Sequence, residues 1–101
     1  MKVNKFITQK YLSAKADKGI DGVITIIDSV FEENINGQDK LVMRLKGQEK
    51  PMVLNQTNLN ALMMAYGEDT DLWVSRKVQL IIVTVMFNGV PTEGIQVKPI
   101  K

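Results

Sequence analysis

Neither cysteine nor histidine occurs among the 101 residues. Disulfides are thereby excluded, and zinc, haem and iron–sulfur centres lose their usual ligands. Imidazole acid–base chemistry and the Ser/His/Asp and Cys/His nucleophile systems go with them. Carboxylate–Mg²⁺ and lysine-based chemistry remain, and neither leaves a recognisable arrangement, so the expectation is no enzyme, no metal and no cofactor. Aromatics are few: Phe6, Tyr11, Phe31, Tyr66, Trp73 and Phe87. No stretch approaches the ~18–20 apolar residues of a membrane helix. The longest, Leu80-Ile81-Ile82-Val83, breaks at Thr84. Met1 to Thr8 alternates polar and apolar residues without a hydrophobic core segment, so neither a signal peptide nor a membrane partner is expected. The absence of cysteine agrees with a reducing compartment, and the cytoplasm is the expected location.

What is present is ordinary globular composition, 45% hydrophobic and 24% charged, in a length that holds one domain over residues 1–101. The net charge of +2 is unevenly spread: residues 1–20 carry +4, residues 21–75 carry −5 and residues 76–101 carry +3. Basic ends that meet in space would form the modest positive patch that a nucleic-acid backbone seeks.

The periodicity predicts five strands and one helix. Gly22 to Glu33 is rich in β-branched residues, with Ile24, Ile26 and Val30 on one parity and Val23, Ile27 and Phe31 on the other. Apolar residues on both faces suit a strand that bends across a small barrel. Asn36-Gly37 marks a hairpin turn, and Lys40 to Lys46 then alternates, Lys40, Val42, Arg44 and Lys46 against Leu41, Met43 and Leu45. Pro51 to Asn55 reads as a short third strand, with proline at its tolerated first position. In the following segment Asn55 or Thr57 is placed to cap a helix that Gly67 ends, and Leu59, Leu62, Met63 and Tyr66 form its apolar stripe. Val78 to Phe87 is the longest strand, Asn88-Gly89 a second hairpin turn, Val90 to Gly94 a frayed edge or bulge, and Ile95 to Ile100 the last strand. The residues 10–17 before the first strand form a short helical turn or an extended lead-in. Core filling accounts for Met43, Met52, Met63 and Met64. Glu68-Asp69-Thr70-Asp71 lacks calcium-loop spacing and reads as a polar turn capped by Asp69 or Thr70.

Strand, strand, strand, helix, strand, strand is the order of a mainly β, five-stranded OB-fold-like barrel with its helix between strands 3 and 4. A meander sheet carrying one helix is the competing architecture, and the long first and fourth strands favour the barrel.

The segments Leu54-Asn55-Gln56-Thr57-Asn58, Ala65-Tyr66-Gly67-Glu68-Asp69-Thr70-Asp71-Leu72-Trp73 and Lys77-Val78-Gln79-Leu80 resemble a group of small uncharacterised phage, prophage and mobile-element proteins. Lys10-Tyr11-Leu12 and Gly94-Ile95-Gln96-Val97-Lys98-Pro99 are similar to that group too, so the likeness touches most of the chain. Ser75 stands where the group usually has glycine, which puts the backbone conformation there, and not the fold, in question. The resemblance implies an OB-like domain in a replication or recombination setting, where single-stranded DNA binding is the usual suggestion.

Single-strand binders track the phosphates with a basic groove and stack bases on aromatic platforms. The candidate phosphate contacts are Lys40, Arg44 and Lys46 on the second strand, Lys50 in the next turn, Arg76 and Lys77 at the fourth strand, and Lys98 in the fifth. Tyr11 and Phe31 are the candidate stacking residues, because neither belongs to a clean buried pattern. Trp73 and Tyr66 read as core. The expected function is sequence-tolerant binding of single-stranded DNA, with RNA as the other candidate strand. The alternative is a non-enzymatic interaction or phage structural module, with a second copy or a replication protein as partner. A carboxylate nuclease built on Asp69 and Asp71 with Glu32 or Glu33 would need metal-dependent cleavage, which is not expected.

Overall fold

The structure, a computed structural model, describes residues 11–100, so Met1 to Lys10 and Lys101, including Phe6 and the lysines among them, lie outside the described residues. A lead-in segment ends in a single 3-10 turn at Lys18–Ile20. Strands β1 (Ile24–Ile35), β2 (Gln38–Leu45) and β3 (Met52–Val53) follow, then helix α1 (Gln56–Tyr66), a 3-10 turn at Thr70–Leu72, and strands β4 (Lys77–Phe87) and β5 (Val90–Ile100). All pairings are antiparallel, in the sheet order β3-β2-β1-β4-β5.

Both hairpins turn on the expected Asn-Gly pairs. Asn36 and Gly37 have φ of 52° and 81°, and Asn88 and Gly89 have 49° and 76°. Two consecutive positive φ values make the type I′ turn, whose twist matches that of the strands it joins. The helix begins where Asn55 accepts from the Asn58 backbone N–H at 2.9 Å, and it ends at Gly67, φ 104°. Asp69 likewise caps the turn at Thr70–Leu72, accepting from the Asp71 N–H at 2.9 Å.

Alternation along β1 breaks at Asp28. The ladder to β2 pairs Ile27 with Leu45 and then Ser29 with Arg44, leaving Asp28 as a bulge. The bulge re-sorts the parities read from sequence. Ile27 and Val30 turn to the core, whereas Ile24, Ile26 and Phe31 share the opposite, outer face. It also marks the handover of partners: Ile24 to Ile26 pair with β4, and the residues beyond pair with β2. One bent strand therefore serves both halves of the sheet.

The core lies between the sheet and α1, around Ile27, Met43, Leu45, Met52, Leu62, Leu80 and Val97. Leu59, Met63 and Tyr66 pack against it, so the expected helical stripe is the buried face. Trp73 is 1% exposed and donates its indole N–H to the Gly67 carbonyl at 2.7 Å, a core residue with its polar edge satisfied. Met64 departs from the reading as core filler. It is 87% exposed, because it falls one position off the stripe.

The expected barrel is not closed. β3 is only two residues long, shorter than the Pro51 to Asn55 span read from sequence, and among the described residues no ladder joins it to β5. Asn58 of α1 occupies the junction instead. Its side-chain amide donates to the Ile95 carbonyl at 3.0 Å and accepts from the Val97 N–H at 2.9 Å. One amide thus imitates a strand partner on the β5 edge, and Asn58 is 1% exposed. β5 itself is continuous from Val90, so the stretch read as a frayed edge or bulge is paired throughout with β4. Its polar sequence hid this because Thr92 and Glu93 belong to an arm solvated on both faces.

Candidate nucleic-acid interface

The outer face is assembled row by row from the ladders. In one row Phe31, Val42 and Val53 pair across β1, β2 and β3. Val42 lies on the face expected to be basic and open, yet it is fully buried between these apolar partners. The face is closed there and opens at Arg44, whose guanidinium sits 5.8 Å from the Phe31 ring centroid. That geometry holds a delocalised cation against a ring, leaving a flat, charged, half-exposed surface.

Lys40 stands opposite Glu33 in the β1–β2 ladder. Glu33 also accepts a hydrogen bond from the Tyr11 hydroxyl, which with the Glu33 charge and partial burial holds the phenol above its ordinary range. Tyr11 and Phe31 are thus on the same hairpin face, and the carboxylate between them reduces the positive field of Lys40.

A second row crosses the bend. The Lys46 N–H donates to the Ile26 carbonyl at 3.0 Å, Ile26 pairs with Lys77, and Lys77 pairs with Ile100. Neighbouring strands are about 4.8 Å apart, so the Lys46 and Lys77 backbones flank Ile26 at roughly 10 Å. One row further, Ile24 pairs with Gln79 and Gln79 with Lys98. Lys46, Lys77 and Lys98 are all exposed. Arg44, Lys46, Lys77 and Lys98 therefore form a basic stripe across β2, β1, β4 and β5, with Ile24 and Ile26 as its apolar floor. Ile24 is 60% exposed, and sequence alternation alone did not single it out because the bulge at Asp28 hides which face it takes.

Arg76 adjoins the stripe rather than lying in it. Its Nε–H donates to the Leu72 carbonyl at 3.2 Å, and its guanidinium lies 5.5 Å from the Tyr66 ring centroid. The Tyr66 hydroxyl is shared between the Lys77 and Ile100 carbonyls at 2.8 and 2.9 Å. This second Arg–aromatic pair is anchored to the same strands that carry Lys77.

Lys50 is turned to another use. Its ammonium lies 3.1 Å from the Asp17 carboxylate, tying the β2–β3 turn to the lead-in segment. Asp17 is held below the usual carboxylate range, first by the hydrogen bond it accepts from the Ser13 backbone N–H and then by Lys50. Of the nine candidates, Arg44, Lys46, Lys77 and Lys98 make one stripe, with Phe31 and Arg76 at its borders. Tyr11 and Lys40 sit beside Glu33, and Lys50 is paired elsewhere.

Among the described residues no group of three or more Asp or Glu side chains converges to hold a metal ion, and no helix is long and apolar enough to cross a membrane. No protein-family profile, no curated protein and no solved structure matches the chain.

Proposed function

We propose that this chain is a sequence-tolerant single-stranded nucleic-acid-binding protein whose sheet is an OB-like barrel left unsealed between β3 and β5. The sheet order, with its helix between β3 and β4, supports that reading of the fold, since it is the order of an OB barrel opened at one seam. Together with the resemblance to phage and mobile-element proteins, the reading is of a cytoplasmic replication or recombination accessory, with DNA ahead of RNA as its strand.

The observation that carries the proposal is the row Lys46–Ile26–Lys77 beside the Arg44–Phe31 pair. Cations at this spacing neutralise phosphates, while Ile26 and the stacked guanidinium offer the bases a flat, water-poor floor. The row's cations are directed at phosphates and its floor is apolar, so binding is expected to tolerate many sequences. Fluorescence polarisation with a labelled oligonucleotide at low and moderate salt tests it. Micromolar affinity is expected, with log K falling linearly against log salt at a slope near −0.7 per phosphate neutralised. Lys46→Glu with Lys77→Glu should abolish binding, and Phe31→Ala should weaken it by about 1–3 kcal/mol. No binding at micromolar protein in low salt would sink the proposal.

A second reading, a protein-interaction module, rests on the β4–β5 arm, where Val85, Met86 and Val90 are 46, 68 and 60% exposed. Defined self-association without oligonucleotide binding would favour it.

A further inference from the structure

We infer that two copies of this chain associate through the β4 edge of the β4–β5 arm, pairing Thr84 of each copy with Met86 of the other. The inference is independent of nucleic-acid binding.

β1 covers β4 only at Lys77, Val78 and Gln79. Just past that, the Leu80 N–H donates to the Val23 carbonyl at 2.8 Å and the Leu80 carbonyl accepts from the Gly22 N–H at 2.7 Å. The Ile82 N–H is capped by the Asp21 carboxylate at 2.9 Å. These contacts show that even-numbered β4 residues direct their backbone groups away from β5. Thr84 and Met86 come next on that edge. Among the described residues nothing pairs with their outward N–H and C=O groups. They are solvated, and so are available to a partner strand.

The opposite edge is shut. On β5 the outward positions are odd-numbered, as Asn58 shows by bonding Ile95 and Val97. Pro91 and Pro99 share that parity and have no N–H to offer, which is how natural sheets blunt an edge. Among the described residues, the β4–β5 arm therefore presents its open ladder on the β4 side.

The character of that ladder selects its occupant. From Val78 to Phe87 there is no charged residue, and Val83, Thr84 and Val85 are β-branched. An uncharged apolar strand is matched by another of the same kind, and a two-fold axis at Val85 makes the edge its own complement. Thr84 and Met86 then form two hydrogen-bonded pairs, exchanging four N–H···O bonds, and Val85 faces its own copy as a close non-hydrogen-bonded pair. Lys77 lies eight residues from the axis, roughly 26 Å along the strand, beyond the Debye length, so the two basic stripes do not repel across it. Because the β5 edge of the arm is blunted by its prolines, the arm pairs on its β4 side alone, and an isologous contact there closes at two copies. So short a ladder buries less than the ~1,200 Å² of a standard stable interface, and the dimer belongs to the micromolar class.

Sedimentation of the full chain without nucleic acid, over tens to hundreds of micromolar, tests the inference. The mass should rise from that of the 11.4 kDa chain towards twice that value and stop there. Val85→Lys puts like charges face to face on the axis and should weaken association at least tenfold with an unchanged melting curve. Thr84→Pro removes an outward N–H without touching the β4–β5 ladder and should do the same. Amide exchange at Thr84 and Met86 should slow as concentration rises in the natural chain. A mass that stays monomeric, grows past the dimer, or rises equally in Val85→Lys would overturn the inference.

Discussion

Ser75 shows how a single residue can hold a junction at a local cost. Its φ is +71°, in the left-handed region where a Cβ crowds the following carbonyl, at a cost of roughly 1–2 kcal/mol. The conformation persists because the Ser75 N–H donates to Ile27 at 2.8 Å and the Arg76 N–H to Trp73 at 3.1 Å, joining β1 to the start of β4. Ser75→Gly removes the crowding but adds the backbone entropy of glycine to the unfolded chain, about 0.5–1 kcal/mol. The net expectation is a gain of roughly 0–1.5 kcal/mol, whose midpoint corresponds to a melting temperature higher by roughly 3–6 °C. Asn58 is the opposite case, a polar residue whose burial is fully satisfied. Asn58→Ala leaves the Ile95 carbonyl and the Val97 N–H without partners on the β5 edge, and each such group costs about 1–3 kcal/mol when buried. A loss of stability of about 3 kcal/mol, measured by urea unfolding, is expected, with proton exchange at Val97 accelerated before the rest of β5.

Elements with local causes were legible from sequence, and those with distant causes were not. The two Asn-Gly turns, the helix cap and the Gly67 stop each depend on a few adjacent residues; the turns and the stop stand where the sequence placed them, and of the two caps it offered, Asn55 and Thr57, Asn55 is the one used. Removing the cap should therefore have a local effect: Asn55→Ala is expected to cost about 1 kcal/mol and to speed amide exchange in the first turn of α1 while β4 and β5 stay protected. The bulge at Asp28 was not legible, because an inserted residue is defined only by the register of two strands, and it decided which isoleucines reach the outer face. Seam closure was not legible either. It required knowing that β3 would pair over two residues and that Asn58, 37 residues before Ile95, would take the vacant edge. Within the candidate site, the alternation of β2 correctly separated Arg44 and Lys46 from Met43 and Leu45, but it could not show that Val42 is walled in by Phe31 and Val53. Lys50 was out of reach for the same reason, since its partner Asp17 lies 33 residues away.

At the scale of the whole molecule, the lead-in segment is a strap fastened to the β1–β2–β3 half by polar contacts of different kinds, beside the packing of Leu12 against the core. The Leu12 N–H donates to the Pro51 carbonyl at 2.9 Å, Lys50 pairs with Asp17, and Tyr11 donates to Glu33. Two of these contacts titrate, and they do so at opposite ends of the pH scale. Asp17 is depressed below its unfolded value near 3.8, so its contribution is present above that pH and is lost as pH falls through the folded pKa. Tyr11 is raised above 10.0, so its contribution is present below pH 10 and is lost as pH rises through the folded pKa. Both groups are close to solvent, and screening keeps each effect small. Urea midpoints measured against pH should show a plateau with two shallow falls. Asp17→Asn is expected to flatten the acid fall more than the alkaline one, and Tyr11→Phe to flatten the alkaline fall more than the acid one. If either substitution changed both limbs equally, the strap would be loosening as one unit, and the two contacts would not be the independent fastenings their geometry describes.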